Sequence, residues 1–192
     1  MVLDGTEREL IEACQRGELE GFRALFELHK SRVYSIALHF ANDEASAMDI
    51  AQDTFLKLFS SIQAFRGEGS FESWLYRIVV NCCFDRKREG RRFLPLMDRI
   101  LDGLRCSGET ALHKLLREEL SGQVRSAVGK LLPEQRIVIV LRYTEGLSYE
   151  EIAEVLGCSR GTVASRLNRA HRILERRLAH LTNHVCRDDR RL

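Results

Sequence analysis

Hydrophobic positions recur along this chain at steps of three and four residues, and no segment alternates with a sustained period of two. Phe22, Leu25, Phe26, His29, Val33, Ile36, Ala37 and Phe40 stay on one face over several turns, which predicts a long amphipathic helix. Asn42 or Asp43 can cap the next one, whose apolar stripe is Met48, Ala51, Phe55, Leu58, Phe59 and Ile62. The glycines of Arg66-Gly67-Glu68-Gly69-Ser70 predict a loop, and Ser70 can cap a third long helix running towards Arg92. Between Phe93 and Gly108 the periodicity fades, and Pro95, Gly103 and Gly108 interrupt it, as in a linker. A second helical set starts near Glu109, and Pro133 suits the first position of a helix ending at Glu145-Gly146. The expected fold is therefore all-α: two small helical domains joined by a flexible linker. The boundaries read as 1–92, 93–109 for the linker, 110–182, and a tail at 183–192.

Residues 148–178 have the pattern of a helix-turn-helix. Ser148-Tyr149-Glu150-Glu151 is a capping box, and Ile152, Ala153, Val155 and Leu156 give a short helix its inward face. Gly157-Cys158-Ser159 makes the turn, because glycine tolerates the positive φ that ends a helix, and Ser159 caps the next one. In that second helix Val163, Leu167, Ala170, Leu174 and Leu178 form the buried stripe. Arg160, Ser165, Arg166, Asn168, Arg169, Arg172 and Arg176 are left facing outward. An arginine-rich face there suits the major groove of duplex DNA, where guanidinium forks bind guanine edges or phosphates. A solvated basic face on an ordinary bundle is the alternative.

Charge sharpens the picture. The 192 residues carry a formal charge of only +2, but it is unevenly spread. Residues 1–64 hold 6 basic and 11 acidic side chains, and residues 65–92 hold 7 and 4. Residues 134–158 hold 2 and 5, and residues 159–192 hold 9 and 3. Each acidic stretch is followed by a basic one, which suggests two separate polyanion contacts. With 44% hydrophobic and 30% charged residues the balance is that of a globular chain. No uncharged run is long enough for a transmembrane helix, and the N-terminus does not read as a signal peptide. The six cysteines form no CxxC pair and read as reduced thiols.

Three segments together resemble a known family, the bacterial extracytoplasmic-function (ECF) sigma factors of the sigma-70 family. Residues 148–170, Ser-Tyr-Glu-Glu-Ile-Ala-Glu-Val-Leu-Gly-Cys-Ser-Arg-Gly-Thr-Val-Ala-Ser-Arg-Leu-Asn-Arg-Ala, look like their region 4. Asp49-Ile-Ala-Gln-Asp-Thr-Phe-Leu-Lys57 looks like the region 2 helix that binds core polymerase. Phe71-Glu-Ser-Trp-Leu-Tyr-Arg-Ile-Val-Val-Asn81 looks like the promoter-melting segment. The resemblance covers roughly residues 8–92 and 110–180, and the linker is not diagnostic.

The resemblance implies a factor that binds core RNA polymerase and directs transcription initiation at −35 and −10 elements. It implies docking on a coiled coil of the polymerase's largest subunit through Asp49, Ile50, Gln52 and Asp53, with Phe55 and Leu58 on the buried stripe. At the −10 element it implies Phe65, Arg66, Trp74, Arg77, Asn81 and Arg88, with Asn81 at the position that helps hold a flipped base. Trp74 fits the hydrophobic core better than a stacking platform. At the −35 element it implies Arg160, Thr162, Ser165, Arg166 and Arg169, while Asn168 is a variable position able to read adenine. Many relatives have a basic residue where this chain has Ala164, so its −35 sequence is expected to differ.

Catalysis is expected of the polymerase: no nucleophile–base pair, Walker loop or recognised metal-ligand spacing is present, so neither enzyme activity, a cofactor nor a metal is expected. His180, His184 and Cys186 are a weak metal candidate beside an ordinary polar tail. Expected partners are core RNA polymerase, promoter DNA and an anti-sigma factor, in the cytoplasm and without direct membrane contact. A plain DNA-binding regulator would leave residues 49–81 unexplained, as would a protein that only titrates a partner through its acidic half.

Overall fold

A computed structural model describes residues 7–67, 69–88 and 122–188, without the side chains of Arg88 and of residues 180–188. The described residues form helices and no strand. They are α1 (Glu7–Gln15), α2 (Leu19–Ala41), α3 (Glu44–Ser61), a 3₁₀ turn at Ile62–Ala64 and α4 (Phe71–Arg88). The second half comprises α5, described over 122–129, α6 (Pro133–Tyr143), α7 (Tyr149–Leu156) and α8 (Arg160–Asp188). The expected linker at 93–109 lies outside the described residues, as do residues 110–121.

Local chemistry sets the ends of these helices. Asp43 caps α3, its carboxylate accepting the Ser46 N–H at 2.8 Å. Asn42 instead ends α2 in the left-handed region at φ 68°, a conformation that asparagine adopts more readily than most residues. Ser70 accepts the Ser73 N–H at 3.1 Å at the head of α4. Around α7 the capping box closes in both directions: Ser148 Oγ accepts the Glu151 N–H at 3.2 Å, and Glu151 accepts the Ser148 N–H at 2.7 Å. The Ser148 N–H first, and then the Ser148 hydroxyl, hold the Glu151 carboxyl below its usual range. Gly157 takes φ 60° between α7 and α8, where a side chain would be strained.

The predicted stripes turn towards the core, with Phe22, Phe26, Met48, Phe59, Leu174 and Leu178 only half-buried. Leu25, Val33, Ile36, Ala37 and Phe40 of α2 pack with Ala51, Phe55 and Leu58 of α3 and with Leu75, Val79 and Val80 of α4. Val163, Leu167 and Ala170 of α8 close over Ile137, Leu141, Ile152 and Val155. His29 is buried among them beside Phe71, with Glu7 at 3.0 Å, and burial pushes its imidazole below the ordinary histidine range.

The buried residues of both halves form one continuous cluster. α6 packs on α2, and α7 packs on α4. Arg136 of α6 is buried in this seam and donates to the Phe40 carbonyl at the end of α2, as well as to Gly129 and Leu131. Those bonds use a carbonyl that a helix end leaves unpaired. A Cβ at Gly129 would meet the Asn42 side-chain amide at 3.0 Å, a tight approach that the exposed Asn42 side chain would have to relieve. No helix among the described residues is long and apolar enough to cross a membrane.

Candidate nucleic-acid and partner interfaces

At 100° per residue, Asp49, Gln52, Asp53 and Leu56 fall on one face of α3, opposite Ala47, Ala51, Thr54 and Leu58 in the core. Leu56 is 58% exposed, a large aliphatic side chain on an otherwise acidic and polar face. Asp49 is fixed by an ion pair with Arg86 of α4. Ile50 is only 1% exposed. Its expected docking contact is corrected here: it faces inward and can only support Asp49 and Asp53 from behind. The Lys57 ammonium reaches Asp85 of α4 at 2.8 Å, which raises its pKa.

The residues expected at single-stranded DNA divide between two neighbouring clefts. Trp74, Arg77 and Asn81 share one face of α4, at i, i+3 and i+7. Phe65, Arg66, Trp74 and Arg77 line a cleft of about 170 Å³. Its rings are held by tilted contacts, with Phe65–Trp74 centroids 5.1 Å apart and Phe71–Trp74 5.7 Å. Trp74 is therefore part of this aromatic cluster and half-buried, with one side open to the cleft. Gln15 fixes the loop by donating to the Phe65 carbonyl at 2.9 Å and the Ile62 carbonyl at 3.2 Å.

Asn81 lines the second cleft, about 470 Å³, between α3 and α4, with Lys57, Ser60, Ser61 and Asp85 around it. That volume is within the roughly 300–1,000 Å³ of small-molecule pockets. Its walls offer hydroxyl, amide, ammonium and carboxylate groups, a set able to read the edge of a base. Cys82 lies behind Lys57, and burial raises its thiol pKa, so it is a packing residue and not a reactive one. The side chain of Arg88 lies outside the described residues.

On α8, Ser165, Arg169, Arg172 and Arg176 project directly away from Val163, Leu167 and Ala170, with Thr162 and Arg166 to one side and Asn168 to the other. Ser159 accepts the Thr162 N–H at 3.1 Å, so Thr162 belongs to the cap as well as to the expected −35 set. Arg160 is held by Glu150 at 2.9 Å. Ala164 is half-buried beside this face and offers it no polar group.

Comparison with known proteins gives these faces a context. The sigma-70 region 2 model matches residues 25–93, and the sigma-70 region 4 model matches residues 121–174. The RNA polymerase sigma-H factor of Pseudomonas aeruginosa is 31% identical over 189 residues, covering 94% of this chain and 98% of that one. The ECF sigma-E factor of Haemophilus influenzae is 31% identical, covering 92% of this chain and 97% of that one. The chain belongs to the ECF sigma factors. A solved structure of CnrH in complex with the cytosolic domain of CnrY superimposes with a TM-score of 0.67 at 30% identity, covering 91% of this chain and 97% of that one. This sigma factor acts with RNA polymerase in promoter recognition and transcription initiation, and it is an initiation factor, not an enzyme.

Sequence reasoning missed several residues of this sigma factor. Leu56 lies off the buried stripe, and a large aliphatic at an exposed register position was the available signal. Lys57, Ser60, Ser61 and Asp85 around Asn81 come from two helices, and no spacing rule joins them. Among the described residues no group of histidine, cysteine and carboxylate side chains could hold a metal. His180, His184 and Cys186 lie outside the described side chains.

Proposed function

We propose that this sigma factor divides its work among three surfaces. The acidic face of α3, with Asp49, Gln52, Asp53 and Leu56, docks on core RNA polymerase. The clefts along α4 take the melted −10 strand. The outward face of α8, with Ser165, Arg166, Asn168 and Arg169, reads the −35 duplex, and Arg160 and Thr162 meet its backbone. The observation that carries this reading is the sorting of faces: α3 and α8 each turn one set of side chains into the core and leave a charged set directly opposite. The protein works in the cytoplasm and is held by an anti-sigma factor, a reading supported by the solved complex of the sigma factor RpoE from Bartonella quintana, which shares this fold, with the anti-sigma factor NepR.

At the −10 element the basic track is Arg66 and Arg77, the rings are Phe65 and Trp74, and Asn81 holds an unpaired base in the larger cleft. Asn81→Ala leaves the helix intact, since the side chain is exposed. It is expected to weaken holoenzyme binding to promoter DNA with a pre-opened −10 bubble about fivefold, the ~1 kcal/mol of one net hydrogen bond. Binding to the closed −35 duplex should not change. Equal losses on both DNAs would remove Asn81 from the −10 role.

A further inference from the structure

The basic stripe of α8 does not end at Arg169. Ser165, Arg169, Arg172 and Arg176 fall within about 60° of one another around the helix axis, opposite Val163, Ala170 and Leu174. Arg172 and Arg176 are both exposed, so neither fills the core. Their charge is also uncompensated. Arg23, Arg32, Arg77 and Arg86 are ion-paired with carboxylates, whereas among the described residues no carboxylate pairs with Arg169, Arg172 or Arg176. Arg176 Nε donates to the Arg172 carbonyl at 3.1 Å. That bond turns the side chain back along the helix towards Arg172, and it uses Nε alone, so the Nη groups remain for an outside acceptor.

Spacing then suggests the acceptor. From Arg169 to Arg176 the helix axis rises about 10 Å, at ~1.5 Å per residue. The major groove of duplex DNA is about 12 Å wide. With the first turns of α8 reading base edges, residues one and two turns beyond Arg169 stand at the wall of the groove, where the acceptors are phosphate oxygens. A guanidinium suits that partner, because it stays charged and its planar fork matches two oxygens of one phosphate. Glu175, the acidic residue between the two arginines in sequence, is exposed but lies to the side of the stripe.

We propose that Arg172 and Arg176 form a second, sequence-independent contact, in which they grip duplex phosphates flanking the −35 element. The contact rests on the −35 reading of α8 given above and extends it past the bases that Arg169 can reach. The residues at the head of α8 choose the sequence. The two arginines beyond them add affinity that is the same for every sequence and that weakens with salt. Promoters with a poor −35 sequence gain from this contact as much as good ones do.

Salt titration of promoter binding by the holoenzyme tests this, with the parent compared against Arg172→Ala combined with Arg176→Ala. Both positions are exposed and alanine is a strong helix former, so the helix is kept. The double variant is expected to bind every member of a panel of single-base −35 variants more weakly by the same factor. Its salt dependence should fall by about two phosphate contacts, so that its deficit shrinks roughly tenfold between about 50 and 200 mM salt. Replacing phosphates on either side of the −35 element one at a time by neutral methylphosphonates should weaken the parent at the flank and leave the double variant unchanged there. Arg172→Lys with Arg176→Lys keeps the charges and should keep the parent's salt dependence. A double-alanine variant with the parent's salt dependence, or a lysine pair that behaves like alanine, would overturn the proposal. An equal loss in binding core RNA polymerase without DNA would also overturn it and assign the stripe to the polymerase. In each case Arg169→Ala decides the −35 reading separately, since only that reading requires a loss that depends on the base.

Discussion

Replacing Asp49 and Asp53 together by lysine is expected to weaken binding of core RNA polymerase by at least about 100-fold, roughly 2.7 kcal/mol. Both carboxylates lie on the face of α3 that turns away from the hydrophobic core. Reversing them converts two attractive contacts with a basic partner surface into like-charge contacts. Asp49 also holds Arg86, so part of its effect passes through α4. Asp53→Lys alone leaves that pair in place. Leu56→Ala supplies a charge-free check. Loss of a 58% exposed leucine should leave folding nearly unchanged yet weaken docking about tenfold, the ~1.5 kcal/mol of burying such a side chain. Binding of −35 duplex by the intact chain should be the same in all these variants. If polymerase binding survives the double reversal, α3 is not the docking surface.

The second large effect is expected on α8. Arg169→Ala should weaken holoenzyme binding to the promoter by about 1–3 kcal/mol and relax the choice of base at one −35 position, the signature of a guanidinium on a base edge. Arg169 projects opposite the buried stripe of Val163, Leu167 and Ala170, so its loss leaves no cavity. Arg160→Ala should act differently. It stands at the helix start beside Glu150 and is placed for a phosphate, so its removal should weaken all sequences alike and lower the salt dependence by about one counterion. Salt titrations on a panel of single-base promoter variants separate the two behaviours. A uniform loss for Arg169→Ala would move it from base reading to backbone contact.

Most of the helical architecture was legible because helix signals are local. The caps at Asp43, Ser70 and Ser148 and the left-handed Gly157 each depend on residues within a turn, and each appears in the structure. The apolar stripes were legible for the same reason, since a period of 3.6 is fixed by the backbone. Ile50 illustrates a limit: an aliphatic residue inside a motif can be read as a contact when its register turns it into the core. The seam between the halves was illegible altogether. Tyr76 and Glu145 are 69 residues apart, and Arg136 and the Phe40 carbonyl 96 apart. Nothing in a hydrophobic pattern says which distant polar groups will pair. Arg136 in particular looks like one more surface arginine until its guanidinium is seen buried on three carbonyls.

Run-off transcription tests the central claim most directly: purified core RNA polymerase, this sigma factor and a library of promoter fragments, with the transcript starts sequenced. The account predicts starts that require the sigma factor and share two upstream motifs, one for the −35 face of α8 and one for the −10 clefts of α4. With folded protein and active cognate core polymerase, the absence of any sigma-dependent start would contradict it.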